Sequence, residues 1–320
     1  MERLVGIAKM AAESPELEAK RSTTYLELQT RSYVTRCASP RMRFRWMINP
    51  YRGCEFGCKY CFARYTHEFM ELRDPNEFEH RIFAKKFNPY LFEKEIKKLP
   101  VGEVIAIGTA TDPYQPAERR FMVTRRMLEV LAKTSGLRLG ITTKSDLIAR
   151  DVSLLEEVAR RHFLRVAMTI TAIDTDLARL IEPLAPRPDL RLAAIRILRD
   201  SGVRAIAFCA PVMPLINDSE EQLRALAEAA RAAGASGFGV NILFLKPCAR
   251  DVFLPFLAER FPHLVRKYRE RYENAAYLRV AYPELIRERV AVIQRDLWPT
   301  KEEPEEPELW PHDPQLNLFV

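Results

Sequence analysis

The chain has 320 residues, of which 48% are hydrophobic, 29% are charged and six are cysteine. This length suits one large domain with short additions, and the hydrophobic content is ordinary for a globular protein. No N-terminal apolar run is long enough for a secretory signal peptide and no stretch approaches the ~18 apolar residues of a membrane span, so we expect no membrane partner.

The net charge of +7 is distributed unevenly along the chain. Residues 300–320 contain one lysine and six acidic side chains, a local charge of −5, which leaves +12 for the residues before them. A basic body with an acidic tail indicates a polyanionic partner such as nucleic acid, although an ordinary basic surface gives the same numbers.

The chain begins with a polar segment, residues 1–36, which has weak helical character and which we interpret as a lead-in. The following stretch, from residue 37 to residue 52, interleaves basic and aromatic side chains. Such a pattern is suited to gripping phosphates and stacking on bases, and equally to covering the open end of a barrel. Its members are Arg41, Arg43, Phe44, Arg45, Trp46, Tyr51 and Arg52.

The strongest chemical signal follows at once, in the sequence NPYRGCEFGCKYCFAR of residues 49–64. Cys54, Cys58 and Cys61 stand at spacing C-x3-C-x2-C, short enough to surround one metal centre, and thiolates suit zinc or iron–sulfur clusters. Gly53 and Gly57 permit the positive φ angles that bring backbone N–H groups close to a cluster. A zinc site completed by a distant residue and a disulfide are the alternatives. Zinc sites usually have paired C-x2-C motifs, and the chain has no second pair.

Six cysteines, three of them in one motif, do not form the pattern of a disulfide framework. They indicate a reducing compartment, so we expect the protein to be cytoplasmic.

Beyond the cysteine motif, short apolar runs alternate with segments of helical period. The runs predict buried parallel strands at 46–49, 103–108, 138–143, 164–171, 204–210 and 237–244. The helical segments lie at 88–98, 124–134, 151–162, 188–200, 218–233 and 250–273. Right-handed βαβ units of this kind predict an α/β fold, a partial (β/α)6 barrel over residues 37–274, with a flat doubly wound sheet as the alternative.

Polar residues stand where the predicted strands end, at the face of such a barrel where chemistry gathers. Thr109 and Asp112 follow the second strand, Lys144 follows the third, and Thr171 ends the fourth. Each one alone is also a plausible helix cap. Together they predict a polar ring around the cysteine motif.

The C-terminal part contains one more helix and a tail. Residues 275–298 include a predicted amphipathic helix at 284–297, with Leu285, Val292, Ile293 and Leu297 on its apolar side. Residues 299–320 combine prolines and glutamates, a composition that predicts a disordered, self-repelling linker. The linker ends in the peptide QLNLF at 315–319.

Several motifs narrow the identity of the family. These are NPYRGC at 49–54, TDPYQP at 111–116, TTKS at 142–145, EPLAPRP at 182–188 and APVMPLIND at 210–218. Over about residues 37–250 the chain resembles the spore photoproduct lyase-like branch of the radical SAM superfamily. Tyr60 is the aromatic residue of that superfamily's C-x3-C-x-aromatic-C signature.

The resemblance implies the same partial (β/α)6 fold, a [4Fe–4S] cluster and S-adenosylmethionine (SAM). It implies that Cys54, Cys58 and Cys61 hold three irons and that SAM chelates the fourth, with the Lys144 ammonium at the SAM carboxylate. Reductive cleavage of SAM by an external electron donor then gives a radical that abstracts hydrogen from the substrate. The implied substrate is DNA, in a repair or base-modification reaction.

Two departures from this branch concern the return of hydrogen to the product. Its lyases have a donor cysteine after the second strand, where residues 107–112 hold none, and a tyrosine where this chain has Phe62. We therefore expect the cofactor chemistry without the thymine-dimer reaction. Cys209 and Cys248, near the ends of the fifth and sixth strands, are the candidate donors, although core packing is the commoner role of free cysteine.

The terminal peptide resembles the Gln-Leu-x-Leu-Phe peptides by which bacterial repair and replication proteins bind the DNA sliding clamp. The predicted contacts are Gln315, Leu316, Leu318 and Phe319; the alternative is a tail that folds back on the barrel. We thus predict a radical SAM enzyme acting on DNA. The alternatives are small-molecule or protein modification and an iron–sulfur redox adaptor without catalysis.

Overall fold

The structure is a computed structural model that describes residues 4–19, 22–40, 42–278 and 281–299. The acidic tail and its peptide, at 300–320, lie outside the described residues. In chain order the described strands are β1 (Glu16–Ala19), β2 (Thr24–Leu28), β3 (Val34–Arg36), β4 (Trp46–Ile48), β5 (Tyr51–Arg52), β6 (Arg81–Lys85), β7 (Val104–Ile107), β8 (Arg138–Thr143), β9 (Phe163–Thr169), β10 (Arg204–Val212) and β11 (Phe238–Ile242).

The larger sheet carries the predicted fold. Strands β4, β7, β8, β9, β10 and β11 lie side by side in chain order and are all parallel, and β3 pairs antiparallel with β4 at one edge. Six parallel strands in sequential order are the topology of a partial (β/α)6 barrel, which is therefore confirmed. A doubly wound sheet would reverse the strand order at a switch point. Because β3 and β11 form two separate edges, the barrel is open.

The helices follow the predicted segments closely. Those described are α1 (Gly6–Ala12), α2 (Tyr65–Glu68), α3 (Glu77–His80), α4 (Pro89–Ile96), α5 (Glu118–Phe121), α6 (Val123–Leu131), α7 (Val152–Arg161), α8 (Thr175–Ile181), α9 (Pro188–Asp200), α10 (Glu220–Ala232), α11 (Pro247–Arg260), α12 (Val265–Tyr272) and α13 (Ala281–Leu297). The helix predicted at 250–273 is two helices, because a 3-10 turn that starts at Pro262 separates α11 from α12. No described helix is long and apolar enough to cross a membrane.

A smaller sheet, with order β1-β2-β6-β5, is the main departure from the sequence prediction. The N-terminal segment was expected to have weak helical character, and this holds for α1, but β1 and β2 are strands. The expectation was wrong there because the polar side chains of β1 are exposed, which hides the strand pattern. The sheet matters for function, since β5 leads directly into the cysteine motif.

Helix α13 was predicted correctly, but its buried side only in part: Ile293 is buried and Leu297 packs against the core, as predicted. Ile286, Val290 and Ile293 are buried, whereas Leu285 and Val292 are 42% and 41% exposed. The helix packs against α10 and β11, and its end is fixed by Trp298, whose Nε1 donates to the Ala235 carbonyl at 2.9 Å. The face of a helix is decided by its partners, which the sequence of the helix alone does not contain.

Candidate functional site

The cysteine loop begins where β5 ends, and two glycines shape it. Gly53 has φ +79°, and a Cβ there would lie 2.8 Å from the Arg81 carbonyl oxygen. Gly57 has φ +64°, and its Cβ would lie 2.6 Å from Glu79 Oε2. Both positions therefore require glycine, as the positive-φ prediction expected. The loop is held against α3 by the Cys54 N–H, which donates to the Phe78 carbonyl at 2.9 Å.

The three thiols of this loop are free and lie in one apolar cluster. Cys58 is buried, Cys54 and Cys61 are half-buried, and all three pack with Phe56 and Met213 among others. Burial raises the pKa of each thiol, to about 12 for Cys58, because the apolar surroundings disfavour a thiolate. A bound metal reverses this preference, since it deprotonates a coordinating thiol outright.

The donor set fits an iron–sulfur cluster. Three soft thiol donors lie close enough within a single loop that the charge of one disfavours the thiolate of its neighbour. Within the described ranges no three His, Cys, Asp or Glu side chains form a group that could hold a metal ion. The cluster assignment therefore depends on the donor set and on the family, not on a compact single-ion site.

One segment after the second barrel strand holds the backbone of the cysteine loop. The Gln115 side chain accepts from the Glu55 N–H at 3.1 Å and donates to the Gly53 carbonyl at 3.0 Å. Thr111 Oγ1 donates to the same carbonyl at 2.6 Å. The TDPYQP motif therefore acts as a support for the loop, a role that was not predicted because the sequence marked this segment only as a family motif.

Thr109 and Asp112, two of the predicted cofactor-binding residues, are engaged in holding loops together. Asn49 Nδ2 donates to Thr109 Oγ1 at 3.0 Å. Asp112 Oδ2 accepts from the Lys144 N–H at 2.7 Å, and Oδ1 accepts from Thr143 Oγ1 at 2.7 Å. Asp112 thus ties the loop after β7 to the loop after β8. It fixes the backbone from which the Lys144 side chain projects.

Lys144, Tyr60 and Thr171 are brought together by a residue that was not predicted as a site residue, Glu182. The Lys144 ammonium lies 3.9 Å from Glu182 Oε1, and Thr171 Oγ1 donates to the same oxygen at 2.6 Å. The Tyr60 hydroxyl also donates to Glu182 and lies 3.1 Å from Thr171 Oγ1. Arg191 completes the group, with its guanidinium 2.6 Å from Glu182 Oε2.

We call these five residues the Glu182 network, in which one buried carboxylate faces two cations, Lys144 and Arg191. Burial alone would raise the pKa of Glu182, but Arg191 and Lys144 outweigh burial and lower it. Burial likewise opposes the charge of Lys144, whereas Glu182 and the Cys58 thiol raise its pKa. The network therefore presents a charged lysine next to the cysteine loop. The signal in the sequence was the EPLAPRP motif, which marked Glu182 without showing what it contacts.

The two candidate hydrogen donors lie in different places. Cys209 is 1% exposed within the main core, and its thiol lies 3.5 Å from the Thr171 carbonyl oxygen. Cys248 is 7% exposed at the start of α11, where burial and the neighbouring Glu68 carboxylate raise the pKa of its thiol to about 11. Both thiols are therefore held in the protonated form at neutral pH.

A group of aromatic side chains in mutual contact begins at Phe62, the residue that follows the last cysteine of the loop. We call it the aromatic rim; its members are Phe62, Tyr65, Phe69, Phe244 and Tyr277. The Phe244 and Tyr277 rings are stacked with centroids 4.2 Å apart, and the Lys246 ammonium lies 3.6 Å from the centre of the Tyr65 ring. Phe62, Phe69 and Tyr277 are 38%, 56% and 42% exposed. The rim is thus a partly open aromatic surface with a cation on it.

Comparisons with known proteins agree with this site. The family model of the radical SAM superfamily matches residues 48–230, which include the cysteine loop and strands β7 to β10. An uncharacterised protein of Mycobacterium tuberculosis is 39% identical over 251 residues, 78% of this chain and 74% of the relative. An uncharacterised protein of Methanocaldococcus jannaschii is 31% identical over 176 residues, 55% of this chain and 63% of the relative.

Among solved structures, the fold is similar to that of spore photoproduct lyase complexed with a dinucleoside spore photoproduct. The TM-score is 0.64 at 14% identity, over 86% of this chain and 80% of that one. A structure of the same lyase with one cysteine replaced by serine gives a TM-score of 0.65 at 17% identity, with the same coverage. The chain therefore belongs to the radical SAM superfamily, whose enzymes use a [4Fe–4S] cluster and S-adenosylmethionine.

Proposed function

We propose that this radical SAM enzyme acts on nucleic acid, with DNA as the substrate in a repair or base-modification reaction. The observation that carries the proposal is the aromatic rim beside the cysteine loop. Bases stack on aromatic side chains with roughly 1–3 kcal/mol each, and a nearby cation such as Lys246 adds attraction for phosphate. Because Phe62 directly follows Cys61, a base stacked there lies next to the proposed cluster.

The resemblance to spore photoproduct lyase supports the same substrate class, since that protein is described in complex with a dinucleoside lesion. The reaction need not be the same. Phe62 has no hydroxyl, and residues 107–112 contain no cysteine. We therefore assign the substrate class and leave the lesion or modified base open.

We propose that Cys54, Cys58 and Cys61 hold the cluster and that the Lys144 ammonium binds the SAM carboxylate. When bound, the two cofactors supply one-electron chemistry, for which an external electron donor is needed. Thr171 and Tyr60 fix Glu182, which in turn holds Lys144 in place. In this proposal Thr109 and Asp112 position the loops of the site and do not touch SAM.

For the return of hydrogen we favour Cys248 over Cys209, because Cys248 comes two residues after Lys246, whose ammonium lies 3.6 Å from the centre of the Tyr65 ring in the aromatic rim. The hydrogen atom of its thiol passes to a carbon radical of the substrate. The external donor, with a proton, then restores the thiol from the sulfur radical.

The terminal peptide at 315–319 extends the proposal to recruitment. We propose that Gln315, Leu316, Leu318 and Phe319 bind the bacterial sliding clamp, which brings the enzyme to DNA in the cytoplasm.

The test of the DNA proposal uses anaerobically reconstituted enzyme and measures 5′-deoxyadenosine release with and without ultraviolet-damaged DNA. We expect DNA to bind at low salt and to change the release, and Phe244→Ala to weaken DNA binding by about 10-fold because it removes one stacking ring. The matched control is Tyr90→Ala, at a tyrosine 69% exposed on α4 and outside the rim. If DNA neither binds nor alters SAM cleavage, the substrate class is wrong.

A further inference from the structure

Behind the aromatic rim lie two cations on one face of the smaller sheet. In the antiparallel pair of β5 and β6, Arg52 stands opposite Phe83, and the Lys85 N–H donates to the Pro50 carbonyl at 3.2 Å. Side chains alternate between faces, so Arg52 and Lys85 project from the same face as diagonal neighbours. Such neighbours lie within reach of long side chains.

Neither cation is neutralised by an acidic side chain of the described residues. Lys85 is 7% exposed, and its ammonium makes no ion pair or hydrogen bond there. Burial, followed by repulsion from Arg52, lowers the pKa of Lys85 to about 7. The acidic side chain that acts on Lys85 is Glu95, but its Oε2 already accepts from the Tyr33 and Val34 N–H groups, at 2.8 and 2.9 Å.

Arg52 is in the same situation. Its Nε is buried and has no hydrogen-bond partner among the described residues. A buried ammonium next to a half-buried guanidinium is costly in a folded protein, since each group loses hydration and the two repel each other. An anion bound between the two cations would replace the lost hydration and offset their repulsion.

The position of the two cations indicates which kind of anion they bind. Phe83, which stands opposite Arg52, packs against the His67 ring with centroids 6.0 Å apart, and His67 lies on α2 together with Tyr65 of the aromatic rim. Arg52 also lies only two residues before Cys54. A molecule with an aromatic ring on the rim and a phosphate on these cations would place its ring next to the cysteine loop.

We propose that Arg52 and Lys85 form a phosphate-binding subsite that takes a phosphate group of the substrate. Its place beside the rim rests on the function proposed above, whereas phosphate binding itself does not. The guanidinium suits a phosphate because its planar fork donates two parallel hydrogen bonds, and the lysine adds a point charge.

The first test measures the binding of inorganic phosphate and of thymidine 5′-monophosphate to the full-length holoprotein, by anaerobic titration calorimetry. Thymidine is the uncharged probe. We expect Lys85→Met to weaken binding of both phosphates by about 10-fold or more and to leave thymidine binding unchanged. The matched control is Lys86→Met, because Lys86 is the next residue, is exposed, and pairs with Glu27 at 3.2 Å.

A second readout is thermal stability, where the predicted sign is unusual. In phosphate-free buffer Lys85→Met should raise the Tm, because methionine fills the same volume without a buried charge. Phosphate should raise the Tm of the natural protein and not that of the variant. A structural lysine would give the reverse, a lower Tm for the variant and the same response to phosphate.

Equal phosphate affinity of Lys85→Met and the natural protein would overturn the subsite. Should Lys85→Met fail to fold, Arg52→Gln is measured instead, with its iron content checked, and an unchanged phosphate affinity overturns the proposal in the same way. The outcomes separate the two proposals. If phosphate binds through Lys85 while DNA has no effect, the subsite is supported and the DNA proposal is refuted. If DNA has its expected effect while phosphate affinity does not depend on Lys85, only the subsite is refuted.

Discussion

The prediction that follows most directly from the Glu182 network concerns Lys144→Ala. The Lys144 side chain is 17% exposed and lies 3.9 Å from Glu182 and 5.7 Å from the centre of the Tyr60 ring. A charge-assisted hydrogen bond from its ammonium to the SAM carboxylate contributes about 1.5–3 kcal/mol. Its loss should therefore weaken SAM binding by about 10- to 100-fold.

The same structure predicts what Lys144→Ala leaves intact. Glu182 keeps Arg191 at 2.6 Å, so the loss of stability should stay well below the ~3–5 kcal/mol of breaking a buried ion pair outright. The iron content should not change, since the thiolates are untouched. Equilibrium dialysis with SAM measures the affinity, and Lys133→Ala, at an exposed lysine just after α6, is the control. An unaltered SAM dissociation constant would refute the placement of Lys144.

Four further predictions concern the Glu182 network, the hydrogen donor and the terminal peptide. Glu182→Gln should destabilise the protein by ~3–5 kcal/mol in denaturant unfolding, because it leaves Arg191 uncompensated, whereas Glu220→Gln, in an exposed pair, should cost under about 1 kcal/mol. The pKa of Glu182 is lowered on folding, so its contribution to the free energy of unfolding is present above its usual pKa of 4.5 and is lost as the pH falls through the lower, folded value. An acid-unfolding midpoint that is the same in Glu182→Gln and in the natural protein would contradict this. Cys248→Ala should abolish product formation while SAM cleavage continues, and normal product yield would exclude this donor. Replacement of Leu318 and Phe319 by alanine should abolish micromolar clamp binding in calorimetry without changing SAM cleavage; a fall in overall stability would instead make the tail part of the fold.

The sequence was informative about the barrel because strands β7 to β10 are buried on one face and at least half-buried on the other. Apolar runs such as the one at 164–171 stand out between polar helices, and their order gave the topology. The cysteine loop was equally visible, since its spacing and its two glycines are local properties. The strand β1 and the complete buried face of α13 could not be predicted from the sequence, because long-range packing decides both.

The sequence predicted which residues of the site lie near one another, but not which atoms they contact. Lys144, Thr171 and Tyr60 were expected at one end of the barrel, and they do share one network. Their shared partner, Glu182, lies in a loop far along the chain, so only the fold shows the contact. Asp112 shows the same limit, because a polar residue at a strand end can hold a loop as readily as a ligand, and the sequence does not distinguish the two.

The account as a whole depends on the claim that the three cysteines hold a cluster to which SAM binds. The most direct measurement is 5′-deoxyadenosine release after reduction of the anaerobic protein, with iron counted in the same sample for the natural chain and for Cys58→Ala. We predict about four irons per natural chain and release of 5′-deoxyadenosine, with both lost in the variant. Full iron content and unchanged release in Cys58→Ala would contradict the account.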